Sequence, residues 1–297
     1  MALIDITMLI FKSTHIAASI KRDIYANGYK QLSRTCFVLS LVCYLGLLES
    51  IAQGTRSASI AGLSSTLTEN PWAVLSNPAG MPSAKWISMG VQRNFGISEL
   101  NEAGISIGYP IQKKLTYSAA LTSNGWEKMR FMRLNHGFRY ANERLNIGLA
   151  LHTVGMFMPK PYRTDWAIQL NGGAQYHLND ELSFGFHANN LGQSKWRKSA
   201  DLLEQNLSIG LSWKAISTIR LHLQHSVSDH FRDDEILALE WLPKDGLALG
   251  IGAGTQPKRL SFGLNLKRGS QQFGWMTSNY SRISKAWIQA AEIGVLR

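Results

Sequence analysis

Histidines are the first residues of this 297-residue chain to suggest a reactive site, because imidazole is a common ligand for transition metals. His152, His187, His222 and His225 are spread over the chain, and no carboxylate recurs beside them at a spacing that repeats a ligand pattern. We therefore interpret them as polar side chains inside a barrel and do not predict a metal site.

Other patterns that could indicate a binding or catalytic site are equally incomplete. The acidic run 233–235 lacks the spaced ligands and the glycine of a calcium loop. The glycines of 250–254 recur at every second position with no helix after them, so they do not form a phosphate cradle. Gly104-Ile105-Ser106-Ile107-Gly108 matches Gly-x-Ser-x-Gly, but it lies within an alternating strand with no helix after it, so it is not a nucleophile elbow. The sequence predicts a protein that is not an enzyme and needs no cofactor.

Charge and hydropathy narrow the class of protein further. The formal net charge is +11, but the basic residues are scattered and match no nucleic-acid-binding module, so we expect no nucleic acid partner. No run of about 18 apolar residues occurs, which excludes a helical membrane protein. A membrane β-barrel stays compatible with the mean hydropathy of −0.10, because its strands alternate apolar and polar residues.

The N-terminal segment, residues 1–52, has the features of an export signal. Lys30 and Arg34 precede the apolar run 36–48, which is too short to cross a bilayer. Ser50-Ile51-Ala52 then places small residues at −3 and −1, which predicts cleavage between Ala52 and Gln53. The alternative for the apolar run is a buried core helix. Both cysteines of the chain lie in this run, so the mature protein would have no disulfide.

Residues 85–297 show strict alternation, the pattern of β-strands with one apolar face. Leu145, Ile147 and Leu149 alternate with Asn146 and Gly148, and similar runs follow to the C-terminus. The polar face consists mostly of small residues, which suit the interior of a closed barrel. We predict an all-β fold, a transmembrane antiparallel barrel of about fourteen strands.

The breaks between these strands alternate in length, as expected for an outer-membrane barrel with short turns at one end and longer loops at the other. Six short polar breaks occur near 112–114, 142–144, 179–181, 215–218, 244–246 and 267–270. Seven longer breaks are predicted at 97–101, 123–130, 158–165, 190–205, 229–234, 255–259 and 279–284.

Large aromatic residues stand just ahead of five short turns, and a sixth lies at the start of the first strand. Aligned by topology they form a belt at one level, as expected at a membrane interface. The predicted periplasmic girdle consists of Trp86, Tyr109, Tyr140, Tyr176, Trp213 and Trp241. His136 is an exception, because its parity places it on the apolar, outward face.

Alternation also assigns side chains to the lumen. The assignment holds only where no β-bulge intervenes, because one extra residue exchanges the inward and outward faces of the residues that follow. The lumen candidates are Arg133, Arg139, His152, Arg220, His222 and Glu240.

Residues 53–84 do not alternate and are rich in small residues, so we predict a compact pre-barrel segment that acts as a plug. A short helix is expected to begin near Pro71 and to end at Asn77-Pro78. This stretch resembles the N-terminus of the PorV/PorQ-type outer-membrane proteins of Bacteroidetes, which are distantly FadL-like. The matching residues are Ala61-Gly62, Trp72-Ala73 and Asn77-Pro78-Ala79-Gly80.

The resemblance implies a cell outer-membrane barrel with its N-terminal segment tucked inside. Two roles are open: an accessory of type IX secretion, or a transporter of hydrophobic or small solutes. A sealed barrel that anchors the envelope is the alternative. The expected partners are outer-membrane lipid, lipopolysaccharide at basic loop residues, and secretion-system proteins.

Overall fold

The fold is a closed barrel of fourteen antiparallel strands, as predicted. The structure, a computed structural model, describes residues 54–126, 129–160, 164–281 and 287–296. The predicted export signal and its cleavage site lie outside these residues. The strands are β1 (Trp86–Asn94), β2 (Glu102–Gln112), β3 (Leu115–Trp126), β4 (Met129–Ala141), β5 (Leu145–Phe157), β6 (Asp165–His177), β7 (Leu182–Asn189), β8 (Asn206–Ile216), β9 (Ile219–Ser228), β10 (Asp234–Lys244), β11 (Leu247–Thr255), β12 (Lys258–Arg268), β13 (Gln271–Tyr280) and β14 (Trp287–Leu296).

Closure comes from pairing of the first strand with the last. Nine residue pairs join β1 to β14, from Trp86↔Leu296 to Asn94↔Ile288, and every other strand pairs with its neighbours in sequence. A closed barrel leaves no sheet edge, so each strand has backbone partners on both sides.

All six predicted short turns lie at one end of the barrel. Two of the predicted long connections are wrong. β3 and β4 are separated only by 127–128, with Trp126 paired to Met129, and β11 and β12 only by 256–257, with Thr255 paired to Lys258. The polar residues and glycine in these stretches suggested loops, but strand pairing includes 123–126, 129–130, 255 and 258–259. The longest connection, 190–205, agrees with the prediction.

Apolar side chains of the wall point outward and polar side chains point inward, which is the opposite of the arrangement in a soluble protein. Leu149 and Leu151 point outward and are 53% and 45% exposed, whereas Asn146 and His152 point inward and are 4% exposed. Single exposed apolar side chains are ordinary, but a continuous apolar outer surface indicates an apolar surrounding.

Three bulges interrupt the strand pairing, between Pro110 and Gln112, between Lys214 and Ile216, and between Trp241 and Lys244. All three lie at the short-turn end of their strands. The alternation therefore keeps its phase through the middle of the barrel, which is why parity assigned the lumen residues to the inward face.

The segment 54–84, called the plug here, lies inside the barrel and has little regular structure. It contains a short helix α1 (Gly54–Ser59) and two 3-10 turns, Ala73–Leu75 and Pro78–Gly80. The short helix predicted between Pro71 and Asn77-Pro78 is present only as the first of these 3-10 turns, Ala73–Leu75, which ends before Asn77. Asn77 instead caps the second turn, because its side-chain Oδ1 accepts a hydrogen bond from the Ala79 amide at 3.1 Å. Among the described residues, no helix has the length and hydropathy needed to cross a membrane.

The outward face gives a first test. Leu151 is the central residue of β5, and Leu178 is a similarly exposed leucine at the short turn after β6. If lipid surrounds the barrel, arginine in place of Leu151 should cost about 2–4 kcal/mol of folding free energy, and arginine in place of Leu178 about 0–1 kcal/mol. Reversible unfolding in lipid vesicles measures both values. Equal costs would contradict a lipid-facing outer wall.

Candidate functional site: the plugged lumen

The plug packs against the barrel wall so closely that many of the wall positions it touches have no room for a side chain. A Cβ atom on Gly185 of β7 would lie 1.9 Å from the Ser65 carbonyl oxygen, and one on Gly148 of β5 would lie 2.3 Å from the Pro78 carbonyl carbon. The other inward glycines that meet plug atoms are Gly90, Gly104, Gly137, Gly173, Gly210, Gly250, Gly252, Gly263 and Gly274. The glycines seen as the small face of the strands are therefore the contact surface of the plug.

A buried ionic cluster anchors the start of the plug. The guanidinium of Arg56 in α1 makes a two-pronged contact with the Glu240 carboxylate of β10, Nε to Oε1 at 2.7 Å and Nη2 to Oε2 at 2.9 Å. Glu240 Oε2 also lies 3.2 Å from His222 Nε2 and 3.9 Å from Arg220 Nη1. Such planar, paired geometry is the strongest form of Arg–carboxylate contact.

The cluster continues into the plug through His222, whose Nδ1 lies 3.3 Å from the Thr66 hydroxyl. The structure thus brings together three of the predicted lumen residues, Arg220, His222 and Glu240, around a partner that the sequence analysis did not single out. The alternation of apolar and polar residues could not have identified Arg56, because the plug does not show this alternation.

Backbone groups of the plug are bonded by barrel side chains in place of a regular ladder. Gln224 Oε1 accepts hydrogen bonds from the amides of both Ser64 and Ser65, at 3.0 Å each. Gln175 Nε2 donates to the carbonyls of Ser65 and Leu67 at 3.1 and 3.0 Å. Buried backbone groups need partners, so these two amide side chains replace secondary structure for the middle of the plug.

The other half of the plug is held in the same way by predicted lumen residues. His152 Nε2 lies 2.8 Å from the Val74 carbonyl oxygen. Arg139 donates through Nη1 to the Met81 carbonyl at 2.7 Å and through Nη2 to Asn146 Oδ1 at 3.2 Å. Arg133 also faces inward but, among the described residues, makes no hydrogen bond with the plug.

The residues that carry the family resemblance fix the path of the plug. Ala61 adopts a left-handed backbone conformation with φ of 60°, and its carbonyl accepts hydrogen bonds from Arg259 of β12, from Nη2 at 2.7 Å. Gly62 follows with φ of 82°. Trp72 is 3% exposed, and its ring atoms lie 3.2 Å and 3.0 Å from the Cβ positions of Gly90 and Gly104.

The turn residues of the same motif fold the plug onto itself. Asn77 Nδ2 donates to the Ser65 carbonyl at 2.6 Å, and the Gly80 carbonyl accepts from the Asn70 amide at 3.0 Å. A Cβ on Gly80 would lie 2.2 Å from the Leu67 carbonyl oxygen, so only glycine fits there. Pro78 and Ala79 are buried between this turn and the barrel wall. The motif thus has a structural role.

Five of the six predicted girdle residues face outward, and one faces the plug. Trp86 was assigned wrongly: it is 5% exposed, points inward, and donates from Nε1 to the Pro71 carbonyl at 3.1 Å. Its neighbour Ile87 takes the outward position, so alternation within β1 required Trp86 to face the plug. The remaining five are outward and 40–53% exposed near the short-turn end: Tyr109, Tyr140, Tyr176, Trp213 and Trp241.

Two histidines face outward. His136 lies on the apolar side, as its parity predicts, and its Nδ1 is 2.6 Å from the Tyr117 hydroxyl on the adjacent strand, with the rings stacked. That hydrogen bond lets a polar ring lie in an apolar surface. His225 was interpreted as a lumen residue but faces outward, because inward positions of β9 are taken by His222 and Gln224.

Room for a ligand beside the plug is small in this conformation. A cavity of about 30 Å³ lies between plug and wall, lined by Thr55, Trp72, Gln92, Glu102 and Glu292 among others. This volume holds a water molecule, whereas sites for small organic ligands measure about 300–1,000 Å³. Within the described residues, no group of three or more His, Cys, Asp or Glu side chains could hold a metal ion.

Overpacking the plug contact gives a second test. Valine at Gly185 would collide with the Ser65 carbonyl, whereas Gly192 in the connection 190–205 has only the Ser194 hydroxyl within reach, at 3.9 Å. We expect Gly185→Val to lower folding stability by about 1–3 kcal/mol or to expel the plug. Gly192→Val is the matched control. Protease sensitivity of the plug and the thermal midpoint would be measured, and identical behaviour of the two variants would contradict tight seating.

The ionic contact between Arg56 and Glu240 gives a third test. Glu240→Gln keeps the shape of the side chain and removes its charge, leaving the Arg56 guanidinium without its partner in the lumen. Breaking a buried pair in this way should cost about 3–5 kcal/mol. Asp229→Asn removes the exposed pair with His230, where Nδ1 lies 2.9 Å from the carboxylate, and should cost about 0–1 kcal/mol. Denaturant unfolding compares the two; similar small losses would show that the cluster does not anchor the plug.

No family model matches the chain, and no curated protein matches it in sequence. The Ralstonia pickettii toluene transporter TbuX superposes with a TM-score of 0.58 at 10% identity, covering 83% of this chain and 98% of that one. The P. putida toluene transporter TodX gives 0.58 at 12% identity, covering 83% and 97%.

A FadL homologue of Pseudomonas aeruginosa gives a TM-score of 0.57 at 9% identity, with 82% of this chain and 98% of that chain covered. At such identities the similarity concerns the fold. This chain therefore shares the fold of these three outer-membrane barrels.

Proposed function

We propose that the chain is an outer-membrane barrel that admits small hydrophobic solutes, with residues 54–84 as a movable plug. The observation that carries the proposal is the way the plug is held. Its contacts with the wall are hydrogen bonds, one ionic cluster and glycine packing, all non-covalent and reversible. Its likeness in fold to the toluene transporters supports the solute class.

Passage through the barrel requires the plug to shift, because the cavity beside Trp72 is water-sized. The hydrogen bonds within the plug fold it onto itself, and its position in the lumen depends on its contacts with the wall. A displacement that breaks the contacts of Gln175 and Gln224 would free the middle of the segment while α1 stays bound through Arg56.

A disulfide lock tests this gate. The Ser65 Cβ lies 3.1 Å from the Cβ position of Gly210, a few tenths of an ångström inside the usual range of about 3.5–4.5 Å for bridged residues. Residues 54–297 contain no cysteine, so Ser65→Cys with Gly210→Cys creates a single pair. We expect the oxidised double variant to block solute entry and reduction to restore it, with each single variant as control.

The assay would follow entry of the hydrophobic dye N-phenylnaphthylamine into Gram-negative cells, whose intact outer membrane excludes it. Wild-type chain should raise the entry rate several-fold over an empty vector. An oxidised lock that admits dye as fast as the reduced protein would remove the plug as the gate. Wild-type cells no faster than the vector control would reject transport.

The second candidate is a sealed, structural barrel, favoured by the number of plug contacts that span the lumen. Deletion of 54–84 should then open a conductance in planar bilayers while the intact protein stays silent to ions and dye alike. The accessory role in type IX secretion rests on the resemblance of the plug motif alone. Recovery of secretion proteins with the barrel from native membranes would support it. Export by the N-terminal segment and contact with lipopolysaccharide are further parts of the proposal.

A further inference from the structure

A hydrogen-bonded tyrosine and histidine lie on the outward, apolar face of β3 and β4. The Tyr117 hydroxyl is 2.6 Å from His136 Nδ1, and the two rings are stacked. Apolar side chains surround the pair, among them Leu134, Phe138 and Leu151, which are 43%, 50% and 45% exposed. An ionisable side chain on the membrane face of a barrel is rare, and it is usually paired or functional.

The pair lies well inside the apolar band of the wall. His136 is four residues along β4 from Tyr140, a girdle residue that faces outward near the short turns. Four residues at about 3.4 Å each, on a strand tilted by about 40°, place His136 about 10 Å from the level of the girdle, in a band about 25 Å tall. Neither water nor the polar rims of the barrel can therefore supply a hydrogen-bond partner to the imidazole.

The contact between Tyr117 and His136 leaves one polar hydrogen without an acceptor, whichever tautomer the imidazole adopts. If Nδ1 accepts from the tyrosine, Nε2 carries a hydrogen; if Nδ1 donates, the tyrosine O–H is left over and Nε2 is a bare acceptor. Among the described residues, His136 Nε2 has no hydrogen-bond partner. Polar groups without partners are costly in an apolar surrounding, so this surface is incomplete in the single chain.

A second copy of the same wall supplies the missing partners. Copies inserted in the same direction are related by a two-fold axis along the membrane normal, so residues at equal depth face each other. The rings of Tyr117 and His136 are stacked with centroids 6.1 Å apart, and their polar atoms lie at similar depth. Nε2 of one copy can then meet the tyrosine oxygen of the other, and symmetry makes this contact twice. The same two atoms meet in both tautomers, and only the direction of donation differs.

The outward row of cross-strand partners through His136 leaves room for a close approach. The row runs Ile107, Ala119, His136, Leu151 and Leu170. Ala119 is its smallest member and is the direct partner of His136, so the surface is recessed beside the imidazole. Small residues let neighbouring membrane segments approach closely, and bulky residues around a polar contact shield it.

We propose that the chain forms a homodimer through the outward face of β3 and β4. In the dimer, His136 of each copy is hydrogen-bonded to the partner subunit's Tyr117. This face lies on the opposite side of the wall from the plug. The dimer therefore goes beyond the proposed transport function and does not depend on it.

Two conservative variants with matched controls test the interface. His136→Leu and Tyr117→Phe each remove one member of the pair, and both add an apolar group to an apolar surface. His225→Leu and Tyr176→Phe make the same changes on the outward faces of β9 and β6. Gel mobility with and without heating would confirm that every variant folds.

Energy transfer between dye-labelled copies in lipid vesicles would measure association. Cys36→Ser and Cys43→Ser leave Asp180→Cys, in the turn between β6 and β7, as the single labelling site. Dilution with lipid gives the protein-to-lipid ratio at half-maximal transfer. We expect this ratio to be at least about tenfold higher for His136→Leu and Tyr117→Phe than for the wild type and both controls, because two hydrogen bonds are lost. The double variant should be no weaker than either single variant, because each bond needs both side chains.

Three outcomes would overturn the proposal. Wild-type transfer no greater than random proximity produces would exclude the dimer. Unchanged midpoints in both variants, or additive losses in the double variant, would exclude this pair as its contact. A different membrane protein that copurifies with the wild type and is lost from His136→Leu, without transfer between copies, would assign the face to that protein.

Discussion

Pairing of every strand on both sides is the constraint on which this structure depends. An apolar surrounding offers no partner to a free backbone N–H or C=O group, so the sheet closes through β1 and β14. Closure turns one face of every strand inward. The inward face must then either hold water or be filled, and in this chain it is filled by the plug.

Wall and plug depend on each other chemically. The plug bonds only part of its own backbone, and the barrel supplies Gln175, Gln224 and Arg139 for groups left over. In return, the plug covers polar side chains that would otherwise line an empty lumen. The Glu240 carboxylate is an example, because Arg56 provides the charge that stabilises it inside the wall. A plug held by such contacts has one seated position, yet no covalent bond prevents its release.

The outer surface follows the same geometry. Alternation places bulky apolar residues on the outward face of the strands. Polar groups appear on this surface where they are compensated or near a rim. His136 is bonded to Tyr117, whereas Glu235 and Lys258 lie at the end of their strands away from the short turns.

The sequence by itself determined the approximate number of strands, the phase of the strands whose alternation is clear, and the identity of most lumen residues. These follow from a period of two, and the bulges at the short-turn ends did not disturb it. Local pattern failed at the ends of strands: Trp86 was placed outside, and the connections at 127–128 and 256–257 were predicted to be long. Polar residues at the ends of strands have the same composition as loop residues, and only their pairing with a neighbouring strand distinguishes the two.

Only the tertiary structure decided how the plug is seated. Arg56 carries no local signal that it pairs with Glu240, 184 positions away. The glycines of the small face read as weak strand positions in sequence, and their purpose appears only when Ser65 or Pro78 lies against them. Sequence periodicity reports which side of a strand meets an apolar environment. It does not report which distant atoms fill the other side, because those contacts are set by closure of the barrel around a segment with no period.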